Sequence, residues 1–191
     1  RGVGGRAYEP PGDAQTTRIL SLHDWPDYPK EFHRQGIEAG ICESRLGVNP
    51  LLAGIKHLNR LEQVILKMEL STSGLPEAIV RDIDDNVIEG TTSNLFLVKD
   101  GRLFTAAINR AGVCGVIRAA IIELAPSVNI HCQIMDLSLD DVLEADEVFF
   151  CNSIAGIWSV NHIRNTRYTK RSVTKQFQKL LISRNLIVNH S

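Results

Sequence analysis

Between residues 78 and 105 the chain abandons helical spacing, and that change limits the folds open to it. Ala78–Asp82, Val87–Glu89, Asn94–Lys99 and Arg102–Thr105 read as short strands. Asp85-Asn86 and Asp100-Gly101 join neighbouring runs, and such pairs accept the positive φ of a tight hairpin turn. Upstream the pattern is helical: from His57 to about Leu70, apolar residues fall at Leu58, Leu61, Val64, Ile65 and Met68. Downstream, a second helix is predicted from about Gly115 to Ala125, where Pro126 stops it. Asn129–Asp136 reads as a strand, Ser138–Glu144 as a short helix capped by Ser138, and Glu147–Cys151 as a buried strand. A final helix covers Ser172–Ser183. Residues 1–50 are rich in Gly, Pro and Asp, with strand-like runs at Thr17–Leu22 and Gly36–Cys42. Strands interleaved with a few helices predict an α+β fold rather than regular βαβ units.

A length of 191 residues suits one ordinary domain, and 43% hydrophobic with 23% charged residues is a globular composition. Net charge is -1, so no global basic field points to nucleic acid or an anionic membrane. No apolar run approaches the roughly 20 residues of a membrane helix. Cys42, Cys114, Cys132 and Cys151 are scattered without a CxxC pair and read as reduced, mostly buried thiols of a cytoplasmic protein. The histidines form no HExxH and no Cys/His cluster, so no metal site is expected. The opening RGVGGRAYEP lacks a starting methionine and a signal-peptide core, which suggests that Arg1 is not the native start.

Candidate chemistry begins at Lys56, which closes the apolar run Leu51–Ile55. It reads either as a solvated lysine whose stem packs on Leu52, or as one enclosed by an apolar pocket. There, burial disfavours the charged form and leaves an amine able to form a Schiff base. Position alone leaves both open. Glu89 ends a strand before a run of hydroxylated residues; alone it is a turn glutamate, but a Schiff-base enzyme using pyridoxal phosphate needs a carboxylate against the pyridine nitrogen. Gly115 opens a helix at which the backbone N–H groups of Val116 and Ile117 would face an anion, although many helices simply start after glycine. Ser153, in a polar turn after a buried strand, is a second phosphate donor or a plain turn residue. Arg6 and Tyr8 could recognise a carboxylate. Ser172-Val-Thr-Lys175 matches an SxxK motif, but without SDN or KTG elsewhere it reads as chance.

Lys56, 88-IEGTTSNLF-96, 115-GVIR-118 and 152-NSIAG-156, in that order and with 33 residues from lysine to glutamate, resemble the fold-type IV pyridoxal-phosphate enzymes. That family spans branched-chain aminotransferases, D-amino acid aminotransferases and 4-amino-4-deoxychorismate lyases. The resemblance weakens after about Asn161. GIKHLNRLEQV, RGVGGRAY and 146-DEVFFCNS-153 look most like the lyases; aminotransferases more often place small residues and an aromatic in the His57–Leu61 region.

The resemblance implies a D-amino acid aminotransferase-like large domain, with a mixed, barrel-like sheet core and flanking helices. It implies pyridoxal 5'-phosphate on Lys56, Glu89 facing the pyridine nitrogen and Cys114 lining the ring. Val116, Ile117 and Ser153 would bind the phosphate, Asn152 and Ile154 would border the substrate, and Arg6 and Tyr8 would reach a substrate carboxylate. It further implies a homodimer without nucleic-acid or membrane partners. Residues 1–16 would form an interdomain and substrate loop, and residues 17–191 the cofactor-binding domain. The family's smaller preceding domain, which supplies an arginine to the phosphate, is absent from this sequence, so the expectation is weak cofactor binding. The alternatives are an aminotransferase for D- or branched-chain amino acids and a silent fragment that only dimerises or binds ligand.

Overall fold

The computed structural model describes residues 6–10, 12–13 and 16–188. Its strands are β1 (Ile37–Leu46), β2 (Glu77–Asp82), β3 (Val87–Gly90), β4 (Asn94–Lys99), β5 (Arg102–Ala106), β6 (Cys132–Met135), β7 (Glu147–Asn152), β8 (Gly156–Ile163) and β9 (Thr166–Arg167). They form one mixed sheet in the order β3-β2-β1-β8-β7-β4-β5-β6, with β9 on β8. β1 is parallel to β2 and β8, and β5 to β6; the remaining pairs are antiparallel. The two ends of this order meet, because Val87 of β3 donates its N–H to Leu137 O, just past β6, at 2.7 Å. The sheet therefore curls nearly closed, which is the barrel-like core expected from the resemblance.

Period-2 alternation sorts the side chains of the curled sheet. Leu95 and Leu97 of β4 and Val148 and Phe150 of β7 join one core cluster. Their neighbours Phe96, Val98, Phe149 and Cys151 join another, shared with α3 (Val116–Leu124) and α5 (Ser172–Ser183). Phe96 and Phe149 are register partners with rings stacked 5.1 Å apart, and Phe177 of α5 approaches Phe149 at 6.4 Å. A third cluster sets Leu66 and Leu70 of α2 (Leu61–Ser73) against Cys42, Ala78, Val80 and Ile88.

Several expected local devices are present. Asp85, Asp100 and Gly101 all have positive φ, as the hairpin turns demand. Ser138 caps α4 (Leu139–Leu143) through a reciprocal box: Asp141 N–H donates to Ser138 Oγ at 3.1 Å, and Ser138 N–H to Asp141 Oδ2 at 2.8 Å. Ser138→Ala is expected to lower stability by about 1 kcal/mol, read as a lower urea midpoint at unchanged slope. The SxxK match is a helix entrance. Buried Glu147 accepts from Ser172 Oγ, Val173 N–H, Thr174 N–H and Thr174 Oγ1 at 2.8–3.1 Å, so the serine hydroxyl is already committed.

Other expectations are corrected. Thr17–Leu22 forms no strand; Ile19, Leu20 and Leu22 stand in solvent, since β propensity means little without a neighbouring strand to pack on. The central strand β8, β9 and the short helix α1 (Lys30–Arg34) had no clear periodic signal. In β8 both faces are covered, so Ile157 and Trp158 are buried in succession, while Ser159, Asn161 and His162 interrupt the apolar run that would otherwise mark a buried strand. The strand expected over Asn129–Asp136 shrinks to Cys132–Met135, because a tight turn ends at Asn129 with φ 57. The helix expected from His57 starts at Leu61, and its stripe of Leu58, Leu61, Val64, Ile65 and Met68 faces outward while Leu66 and Leu70 face the core. All four cysteines are free, but Cys114 is exposed. Burial pushes the thiols of Cys42 and Cys132 up to about 11 and that of Cys151 higher still, so these three are inert packing groups at neutral pH.

Candidate active site

Five segments distant in sequence are laced together at one place on the curled sheet. The loop before Lys56 pairs with residues 112–114: Gly54 N–H donates to Gly112 O, and Cys114 N–H to Gly54 O, both at 3.0 Å. Val113 N–H then donates to Glu89 Oε2 at 2.9 Å. Gly112 makes this approach possible, because at φ +85 a Cβ there would lie 2.5 Å from Ile88 Cγ2 and 3.2 Å from Glu89 Oε2. Asn94 clasps the next residues, donating from Nδ2 to Val113 O at 2.8 Å and accepting Gly115 N–H at 3.1 Å. The hydroxylated run is fixed from below by Glu77. Its buried carboxylate accepts Thr91 N–H at 2.7 Å, Thr92 Oγ1 at 3.1 Å and Ser93 Oγ at 2.7 Å, among other donors. Thr92 O in turn accepts Asn152 Nδ2 at 3.3 Å, which ties in the turn after β7.

Glu89 is the chemically distinctive member. It is 6% exposed. Desolvation pushes its carboxyl up to about 7, against the lowering effects of the Val113 hydrogen bond and the charges of Arg60 and Lys56; nearby Glu77 pushes the same way as burial. Oε2 is occupied, whereas Oε1 accepts nothing among the described residues. A carboxylate so placed is suited to a cationic N–H donor.

Gly115 is the N-cap of α3, and the first intrahelical bond runs from Ala119 N–H to Gly115 O. The N–H groups of Val116 and Ile117 precede that bond and remain available to an anion. A Cβ on Gly115 would lie 2.1 Å from Asn94 Oδ1, so the close clasp requires glycine. The arginine of 115-GVIR-118 points elsewhere: buried Arg118 donates to Thr105 Oγ1 at 3.3 Å and to Ala106 O at 2.8 Å, locking α3 to β5.

Lys56 is exposed, so the enclosing apolar pocket is corrected; what Lys56 shares with the site is proximity to Glu89, whose carboxyl feels its charge. Cys114 lies beside Gly54. Ser153 and Ile154 sit on the exposed turn organised by Asn152, whose Oδ1 accepts Ile154 N–H at 2.9 Å and Ala155 N–H at 2.6 Å. The Asn152 side chain is thus spent on its own turn and on Thr92. Tyr8 is 97% exposed and is not drawn into this web, and Arg6 opens the same helical turn. Residues 1–5, 11, 14 and 15 of the expected 1–16 loop lie outside the described residues. Sequence reasoning missed Arg60, Glu77, Asn94 and Gly112. Of these, Arg60 and Asn94 stood inside segments already singled out, residues 54–64 and 88–96, and nothing local marked Glu77 as the hub of residues 91–93.

The donor set fits a phosphate-bearing, protonated heteroaromatic group: an amine at Lys56, a buried carboxylate with one free oxygen, and a helix N-terminus for the anion. The family described as amino-transferase class IV matches residues 1–163. An aminodeoxychorismate lyase from Vibrio harveyi is 40% identical over 163 residues, which is 85% of this chain and 60% of that protein's length. The crystal structure of 4-amino-4-deoxychorismate lyase from Pseudomonas aeruginosa superposes with a TM-score of 0.89 at 42% identity, covering 94% of this chain and 67% of the other. The branched-chain amino acid aminotransferase from T.th. with pyridoxamine 5'-phosphate is less similar, at 25% identity and a TM-score of 0.75 over 84% of this chain and 54% of the other.

Proposed function

The chain belongs to the amino-transferase class IV family, and from that premise we propose that it serves a pyridoxal-phosphate-dependent lyase converting 4-amino-4-deoxychorismate to 4-aminobenzoate and pyruvate. The observation that carries this reading is the buried Glu89 carboxylate, one oxygen tied to Val113 and the other free, within electrostatic reach of Lys56. When bound, the cofactor supplies an electron sink that accepts the electrons of the carbon–hydrogen bond broken at the substrate's amine-bearing carbon.

The chain's own residues do the rest. Lys56 Nζ would hold the cofactor, and the same amine would take the proton from the amine-bearing ring carbon of the substrate. That proton balances the one gained by the departing enolpyruvate, and the ring becomes aromatic. Glu89 Oε1 would accept the pyridine N–H. The N–H groups of Val116 and Ile117, with Ser153 Oγ, would bind the phosphate, and Cys114 would border the ring. Asn152 and Ile154 would flank the substrate through the shape of their turn, and Arg6 and Tyr8 would be the groups to recognise its carboxylate.

The outward face of α2, with Leu61, Val64, Ile65 and Met68 beside Leu58 of the preceding loop, favours pairing with a second copy of the chain, since a cluster of large apolar side chains is seldom left in water. A cytoplasmic setting accords with four free cysteines. Among the described residues no helix is long and apolar enough to cross a membrane. The test is release of pyruvate and 4-aminobenzoate from 4-amino-4-deoxychorismate with no keto acid added, using the enzyme at native length. Turnover that depends on 2-oxoglutarate and an amino acid donor would instead assign an aminotransferase.

A further inference from the structure

The two carbonyls that flank Lys56 in the chain face the same side chain. Arg60 Nη2 donates to Ile55 O at 2.6 Å, and Arg60 Nε donates to His57 O at 2.8 Å. A guanidinium fork can make both bonds from one fixed plane, which an ammonium cannot do. Arg60 itself is well anchored, because it is the N-cap of α2, accepts Val64 N–H at 3.1 Å, and leads into a helix whose Leu66 and Leu70 sit in the core.

The loop has little else behind it. A cavity of about 400 Å³ lies there, lined in part by Leu52, Ala53, His57, Arg60 and Gly112. His57 Nδ1 and Gln63 Oε1 are buried without a hydrogen-bond partner. The loop is thus held by hydrogen bonds rather than by packed side chains: the pairing of Gly54 with residues 112–114, Ile55 N–H to Leu52 O at 3.1 Å, and the Arg60 fork. Arg60 also makes no ion pair with a carboxylate among the described residues. Its charge therefore remains available to Glu89, on which it acts together with Lys56 and against Glu77.

We propose that Arg60 is the positioning residue of this site: it fixes the main chain on both sides of Lys56 and sets a permanent positive charge within reach of the Glu89 carboxylate. Its importance for the reaction rests on the function proposed above, but its two structural effects do not require cofactor or substrate. The test uses the cofactor-free chain. Arg60→Lys keeps the charge and gives up the fork, while Arg60→Gln gives up both. Hydrogen exchange at the Gly54, Ile55 and Cys114 amides reports the loop, and the carbon-13 titration of the Glu89 carboxyl reports the charge. Both variants are expected to speed exchange at those amides by about tenfold or more, with β4 and β7 amides unchanged. Only Arg60→Gln should move the Glu89 titration upward. A folded Arg60→Lys chain with wild-type exchange at Gly54 and Ile55 overturns the anchoring role. Glu89 titrating alike in Arg60→Gln and wild type overturns the electrostatic one. Loss of lyase activity, or its absence from the start, moves neither readout and bears on the proposed reaction alone.

Discussion

Lys56→Ala is expected to abolish turnover while leaving the fold intact. The amine is proposed to act twice, as the nucleophile that carries the cofactor and as the base that takes the ring proton. A positioned general base alone contributes about 10²–10⁴-fold, and losing the covalent link removes a second factor. The structural cost is small because Lys56 is exposed and its ammonium makes no hydrogen bond among the described residues. Stability should stay within about 0.5 kcal/mol of wild type, as for other surface substitutions. Borohydride reduction of the native-length holoenzyme gives the direct measurement: the cofactor should be fixed on the peptide containing Lys56. Recovery on Lys67 of α2, or on any other lysine, would remove Lys56 from its role.

Much of the framework was legible because local chemistry and tertiary structure agree there. The hairpins at Asp85-Asn86 and Asp100-Gly101 need particular turn residues, and Ser138 needs only Asp141 three positions on. β4 and β7 were legible as short continuous apolar runs, since each sends successive residues into different cores and both sets must be apolar. β8 was missed because Ser159, Asn161 and His162 break its apolar run, although it too is covered on both faces. Thr17–Leu22 misled in the opposite sense, with strand-like residues and no neighbouring edge to pair with. At the site, Lys56, Glu89 and Gly115 stood out by residue type and order. Arg60 and Glu77 did not, since their importance lies in bonds across 3 to 16 residues to backbone and hydroxyl groups. Such partners become visible only when the chain is folded.

Glu89→Gln should separate what this residue does for the reaction from what it costs the fold. With a neutral partner at the pyridine nitrogen, elimination should slow roughly ten- to a hundredfold, the worth of one charge-assisted hydrogen bond of about 1.5–3 kcal/mol, while cofactor is retained. The cofactor-free chain should respond in the other direction. In the folded chain burial raises the Glu89 carboxyl from 4.5 to about 7. Between those values the folded state binds more protons than the unfolded one. The contribution to stability is therefore fully present below about 4.5 and is lost as pH rises through about 7. Above that, an ionised Glu89 lowers stability by up to about 3 kcal/mol. Glutamine is never ionised and can still accept Val113 N–H. Urea unfolding should find the two proteins nearly equal at acidic pH, where Glu89 is protonated, and the glutamine variant more stable above neutrality. A difference independent of pH would mean that Glu89 titrates as an ordinary carboxylate, and an unchanged turnover number would remove it from the pyridine nitrogen. A variant both slower and more stable at alkaline pH would identify the buried carboxylate as a group kept for chemistry at the expense of the fold.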